Sequence, residues 1–131
     1  MIDGWKWLLA AAVSQFHREQ LDEHGGGEGV RDPGRLEAAL AQPRMIASYE
    51  PEADACRLAA SYAHGIAKGH PYVDGNKRTA WVAARTFLLI NGYLLSVSQE
   101  EKYDRMYALA AGTLSETEFA EWLRANTAPN E

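Results

Sequence analysis

Between residues 70 and 80 the chain reads His-Pro-Tyr-Val-Asp-Gly-Asn-Lys-Arg-Thr-Ala, and an apolar run over residues 81–90 follows at once. His70, Asp74, Asn76, Lys77 and Arg78 thus stand within nine positions. Pro71 and Gly75 impose non-helical backbone, and asparagine is a favoured N-cap, so the spacing predicts a tight loop opening into a helix at Asn76. Such a helix start points unpaired N–H groups and the positive end of its dipole at the loop. Lys77 and Arg78 add two cations where a helix by itself favours acids. An anion between them removes that penalty, and phosphate is the natural one. Asp74 suits magnesium, a hard cation that prefers carboxylate and phosphate oxygens. Histidine is the residue type best suited to general-base work near neutral pH, which makes His70 the candidate base. Base, metal ligand and phosphate cradle together describe phosphoryl or nucleotidyl transfer.

The rest of the chain must position that loop. It has 131 residues, 47% apolar and 24% charged, the balance of one folded, soluble domain over 1–131. The formal net charge of −5 argues against direct nucleic-acid binding or attraction to a lipid surface. A single cysteine, Cys56, excludes an internal disulfide; it reads as a buried thiol and fits a reducing cytoplasm. No run approaches the roughly 18 apolar residues of a membrane span, and the N-terminus lacks the zones of a signal peptide, so a cytoplasmic protein is expected.

The apolar spacing is helical nearly throughout, which predicts an all-α, single-domain bundle built around one buried central helix, that from Asn76 to about Asn91. Trp5 to Leu21 reads as a first amphipathic helix ending near His24, with His17 and His24 solvated. The glycines of residues 25–29 read as a flexible connection, since no Gly-Lys-Ser/Thr follows them. Asp32 then caps a short helix with Pro33 at its first position, and Pro43 ends it. Residues 43–51 read as a proline-bounded connection, and Pro51 starts the next helix, which delivers the chain to His70. His64 on that helix reads as half-buried and structural, because its spacing is not that of a zinc site. Ser98 with Glu101 and Ser115 with Glu118 read as capping boxes opening helices at roughly 99–111 and 116–126. Tyr93 to Val97 has room for a brief extended stretch, and the tail, 127–131, is expected to fray.

Residues 70–80 resemble the signature of the Fic/Doc superfamily, which reads H-x-F-x-[D/E]-G-N-G-R-x-x-R in its Fic branch. His70, Asp74, Gly75, Asn76 and Arg78 stand on matching positions, with Tyr72 in the aromatic slot. Lys77 replaces the second glycine and Trp81 the last arginine. The lysine form, Asn-Lys-Arg-Thr-Ala, looks like the Doc (death-on-curing) branch, the toxin half of a toxin–antitoxin pair. The segment from Gly25 to Leu40 is also similar to the N-terminal half of Doc-like proteins.

The resemblance implies a protein Ser/Thr kinase that uses ATP and magnesium. Its implied target is a translation elongation factor, elongation factor Tu, and its outcome growth arrest. His70 would be the base and Asp74 the metal ligand, and Gly75, Asn76, Lys77 and Arg78 would bind phosphate. Fic-type transfer of AMP to a protein hydroxyl uses the same parts and stays open, as does a non-catalytic module that only binds a partner. For residues 43–51, with Met45, Ile46 and Tyr49, the resemblance implies a flap that positions the target; folding of those side chains onto the core is the alternative. Arg85 shares a helix face with Arg78. It stands one turn beyond the missing arginine, placed either to reach phosphates or to form a structural ion pair. The inhibitory pattern S/T-x-x-x-E-G/N fails at Ser48–Glu52 and Ser96–Glu100, which continue with Ala53 and Glu101. Control in trans is therefore expected, by an antitoxin segment docking as a helix in an apolar groove.

Overall fold

The computed structural model describes residues 4–130, which form six α-helices and one small antiparallel sheet. The first helix, α1 (Ala10–His24), starts later than its apolar spacing suggests. Residues 4–9 ahead of it are not helical, and Trp5 and Trp7 both lie against the Phe87 ring, at 6.0 and 5.8 Å. Asn91 exchanges two side-chain hydrogen bonds with the Lys6 backbone, and the Leu8 N–H donates to the Tyr62 hydroxyl. A helix there would forfeit all of these.

Asp32 caps α2 (Pro33–Tyr49) by accepting from the Arg35 N–H, with Pro33 in the first turn as the sequence predicts. Pro43, however, does not end the helix. It is buried inside it, and the hydrogen bond lost at its ring is offset by the apolar face that continues to the buried Ile46. The expected connection of residues 43–51 is therefore mostly helix. Only residues 50–54 join it to α3 (Ala55–Gly69), whose N-cap is Asp54 rather than a start at Pro51. Asp54 accepts from the Arg57 N–H and from the Arg124 guanidinium, and that guanidinium bond is the main cause holding its carboxyl below the usual range.

The most enclosed helix is α3, not α4 (Asn76–Ile90): ten of the 15 residues of α3 are buried against seven of the 15 in α4. Leu89 and Ile90 at the end of α4 face outward. Alanine dominates the buried faces of both helices, and α3 packs against α2, α4, α5 (Gln99–Ala111) and α6 (Glu116–Ala125). Small residues permit that number of close neighbours. At Gly65 a Cβ would stand 2.8 Å from the Ala39 Cβ and 3.0 Å from the Ala39 Cα on α2. Gly65→Ala is therefore expected to destabilise the fold by about 1–3 kcal/mol, despite alanine's better helix propensity. A thermal melt at or above that of the parent protein would show that the two helices can part at no cost.

Ser115 and Glu118 form the full capping box of α6, whereas at α5 only the Ser98 half is made. Arg57 on α3 pairs with Glu116 of α6. His64, half-buried as expected, lies 3.2 Å from the same carboxylate. Cys56 is buried, and burial pushes its thiol up. The tail is not frayed. Residues Thr127–Pro129 form β2, antiparallel to β1 (Tyr93–Leu95), and the Asn130 N–H donates to the Gly92 carbonyl. A short strand such as β1 needs a partner for its backbone groups, and the chain end supplies it. Residue 131 lies outside the described part. No described helix is long and apolar enough to cross a membrane.

Candidate active site

His70 to Gly75 join α3 to α4, and the loop is gripped from both sides. His70 is the C-cap of α3, with φ 49° and ψ 54°, the left-handed region that few non-glycine residues enter. The Arg31 guanidinium holds it there, donating from Nε to the His70 carbonyl at 2.9 Å and from Nη2 to the Gly69 carbonyl at 3.3 Å. These are the carbonyls that a helix end leaves without partners, at the end that favours a cation. Two residues on, the Tyr72 side chain enters the core and is 1% exposed. There it stacks on His17 with centroids 3.8 Å apart.

His17 is the main surprise against the sequence. Expected to be solvated, it is 7% exposed, and its Nε2 lies 2.8 Å from the Asp74 carbonyl. A carbonyl only accepts, so Nε2 is the donor, and a ring on α1 anchors the loop by both its face and its edge. The glycine segment is a connection, as expected, but the glycines serve close approach. Val30 bridges Tyr72, and the Val73 N–H donates to the Gly29 carbonyl. A Cβ on Gly26 would lie 2.8 Å from Asp74 Oδ2, while the Gly27 N–H donates to that oxygen at 3.3 Å. The Gly75 N–H donates to Oδ1 at 2.9 Å. That bond, then the Gly27 one, with the nearby Arg78 and Lys77 cations adding less, holds the exposed Asp74 carboxyl below its usual range.

Gly75, at φ 76°, is the N-cap of α4, one residue before the expected Asn76. Asn76 is inside the helix and turns its amide back on the loop. Its Oδ1 accepts from the Tyr72 N–H and its Nδ2 donates to the Tyr72 carbonyl, both at 3.0 Å. The same Nδ2 lies 3.4 Å from His70 Nδ1, a contact too long to lock the imidazole's tautomer. No side chain caps α4. The N–H groups of Asn76, Lys77 and Arg78 therefore have no intrahelical acceptor.

One cavity of about 820 Å³ gathers His70, Asp74, Gly75, Asn76, Lys77, Arg78 and Arg85 on its walls. Lys77, Arg78 and Arg85 are exposed, and among the described residues none of them makes an ion pair. The structural pairing considered for Arg85 is thus not made. Tyr72 supports the loop from beneath and does not line the cavity. Met45, Ile46 and Tyr49 are not on its walls either: they belong to the last turns of α2, with Ile46 in the core. Sequence reasoning missed Arg31 and His17. For Arg31 the signal lay in the segment from Gly25 to Leu40, but for His17 spacing offered none.

An imidazole, an ionised carboxylate, an open helix start and three unpaired cations around one cavity suit a polyanion that carries a metal. The profile of the Fic/DOC family matches residues 7–88, which hold this loop and the start of α4. The chain belongs to the Fic/DOC family. Within known Fic/DOC relatives it is 35% identical over 109 residues to "Protein kinase doc" of Escherichia phage P1, covering 83% of this chain and 86% of that protein. It is 45% identical over 73 residues to "Toxin Doc" of Mycolicibacterium smegmatis, covering 55% of this chain and 56% of that one. The Fic/DOC match takes in α1 to α4 up to Leu88 and so includes every residue of the loop.

Proposed function

We propose that this protein is a Doc-type toxin, a protein kinase that moves the terminal phosphoryl group of ATP to a Ser or Thr hydroxyl of a translation elongation factor. The reading rests on one observation above all. The uncapped start of α4 with Lys77, Arg78 and Arg85 forms an anion cradle in the same cavity as an unpaired imidazole and a carboxylate. The name of the phage P1 relative points the same way.

One ring nitrogen of His70 takes the hydroxyl proton as the oxygen attacks the terminal phosphorus. The bond from that phosphorus to the bridging oxygen breaks, and ADP leaves. Lys77, Arg78 and the first N–H groups of α4 hold the phosphate oxygens and stabilise charge as the group transfers. Arg85, free of an ion pair, extends that cradle along α4. Magnesium fits the residues present: Asp74 is ionised and exposed, and each of its oxygens has spent one lone pair on a backbone N–H and keeps the other. A single carboxylate matches a metal that arrives on its phosphates and keeps several waters. When bound, it would offset phosphate charge between Asp74 and the nucleotide.

ATP labelled on the terminal phosphate in one sample and on adenine in another separates the two transfers available to this site. Incubation with elongation factor should leave the terminal-phosphate label on the protein and the adenine label in solution. Adenine label on the protein would replace the kinase reading with AMP transfer. Control in trans by an antitoxin helix and a cytoplasmic location complete the proposal.

A further inference from the structure

The peptide between Asp74 and Gly75 has both of its polar ends engaged. Its carbonyl accepts from His17 Nε2 at 2.8 Å. Its N–H donates to Asp74 Oδ1, on the carboxylate proposed for magnesium, at 2.9 Å. A trans peptide is planar, so its C=O and N–H point in opposite directions and turn together. Whatever fixes the carbonyl therefore fixes the N–H and the oxygen it holds. Gly75 does not fix the plane by itself. It sits at φ 76°, and glycine takes either sign of φ at little cost, which leaves the peptide free to turn over. His17 opposes that turn. Its ring is buried, stacks on the Tyr72 ring, and lies against Gly75, where a Cβ would stand 3.6 Å from the His17 Cδ2. Turning the peptide over would leave a buried ring N–H without its acceptor.

We infer that His17 is a positioning residue for the metal ligand: by holding the Asp74–Gly75 peptide in one orientation, it keeps the Asp74 carboxylate in the pose that takes magnesium. The inference rests on the phosphoryl-transfer reading and adds a residue that is not on the cavity wall and acts only through the loop. Two substitutions separate the edge of the ring from its face. His17→Phe keeps the stack and removes the donor. His17→Gln loses the stack and keeps a donor, because its amide nitrogen stands as many bonds from Cβ as the imidazole Nε2 does.

Titration calorimetry with ADP on the full chain, once in magnesium and once in EDTA, isolates the metal's share of binding. His17→Phe is expected to bind magnesium ADP about 10-fold to 100-fold more weakly and metal-free ADP as the parent does. His17→Gln should bind magnesium ADP nearly as the parent does. In the ligand-free proteins, the NMR signal of the Gly75 amide proton should move upfield in the Phe variant alone, where the carboxylate no longer holds it. An equal loss in magnesium and in EDTA, or a Gly75 signal that stays in place, overturns the positioning role, and the phosphoryl-transfer reading survives. Should the Phe variant not fold, the Gln variant decides: parent-like magnesium ADP binding without the stack supports the donor's role, and a loss overturns it. A parent protein that binds ADP in neither buffer sinks the phosphoryl-transfer reading, while the amide signal still decides whether His17 sets the peptide.

Discussion

His70→Ala is expected to slow phosphoryl transfer by about 10²–10⁴-fold, the usual contribution of a positioned general base. It should also make the protein harmless to cells that the parent arrests. The side chain is exposed, and its hydrogen-bonding contact among the described residues is the 3.4 Å one to Asn76, so little packing is lost. The backbone complicates the alanine variant, because His70 sits at φ 49° and alanine tolerates that region less well. His70→Asn removes the base while supplying a residue that enters the left-handed region readily. Both variants should be inactive, with the asparagine one melting nearer the parent. Transfer at the parent rate by folded His70→Asn protein would remove the imidazole from the mechanism. Toxicity kept in full by the folded variant would reduce the site to a binding module.

Asn76→Ala is expected to be the most damaging single change to the loop's shape. Its amide satisfies both the N–H and the carbonyl of the buried Tyr72. Leaving each without a partner costs about 1–3 kcal/mol, so the melting temperature should fall by roughly 10 °C for a chain of this size. Phosphate affinity should fall with it, since the loop and the first turn of α4 are one hydrogen-bonded unit. Asn76→Asp separates the two bonds: the carboxylate still accepts from the Tyr72 N–H but no longer donates to its carbonyl. Its melting temperature should lie between those of the parent and the alanine variant. If Asn76→Ala melts within a degree or two of the parent, the loop is held chiefly by Arg31 and by the His17–Tyr72 stack.

The helices and the loop between α3 and α4 were legible for the same reason: both are encoded over short distances. Asp32 with Pro33, Ser115 with Glu118, and the residues from His70 to Arg78 act within a few positions of one another, so spacing alone marks them. Most misreadings concern residues whose surroundings the fold decides, some near in the chain and some far along it. Pro43 looks like a stop until the burial of Ile46 is known, and Trp5 and Trp7 look helical until Phe87 is placed beneath them. The tail looks loose until β1 is seen to need a second strand. Asn76 looks like a cap because asparagine often is one, yet its amide is engaged by Tyr72, and Gly75 takes the cap position through its positive φ.

Residue types and local order were enough to establish an all-α chain and the loop that opens into α4. Folding added the grip on that loop: His17 from α1, and Gly27 and Arg31 from the segment ahead of α2. The physical reason is one of range. A cap or a dipole acts over one turn of helix, whereas a carbonyl's donor or a ring's stacking partner is whichever side chain the fold delivers, and between His17 and Asp74 that distance is 57 residues.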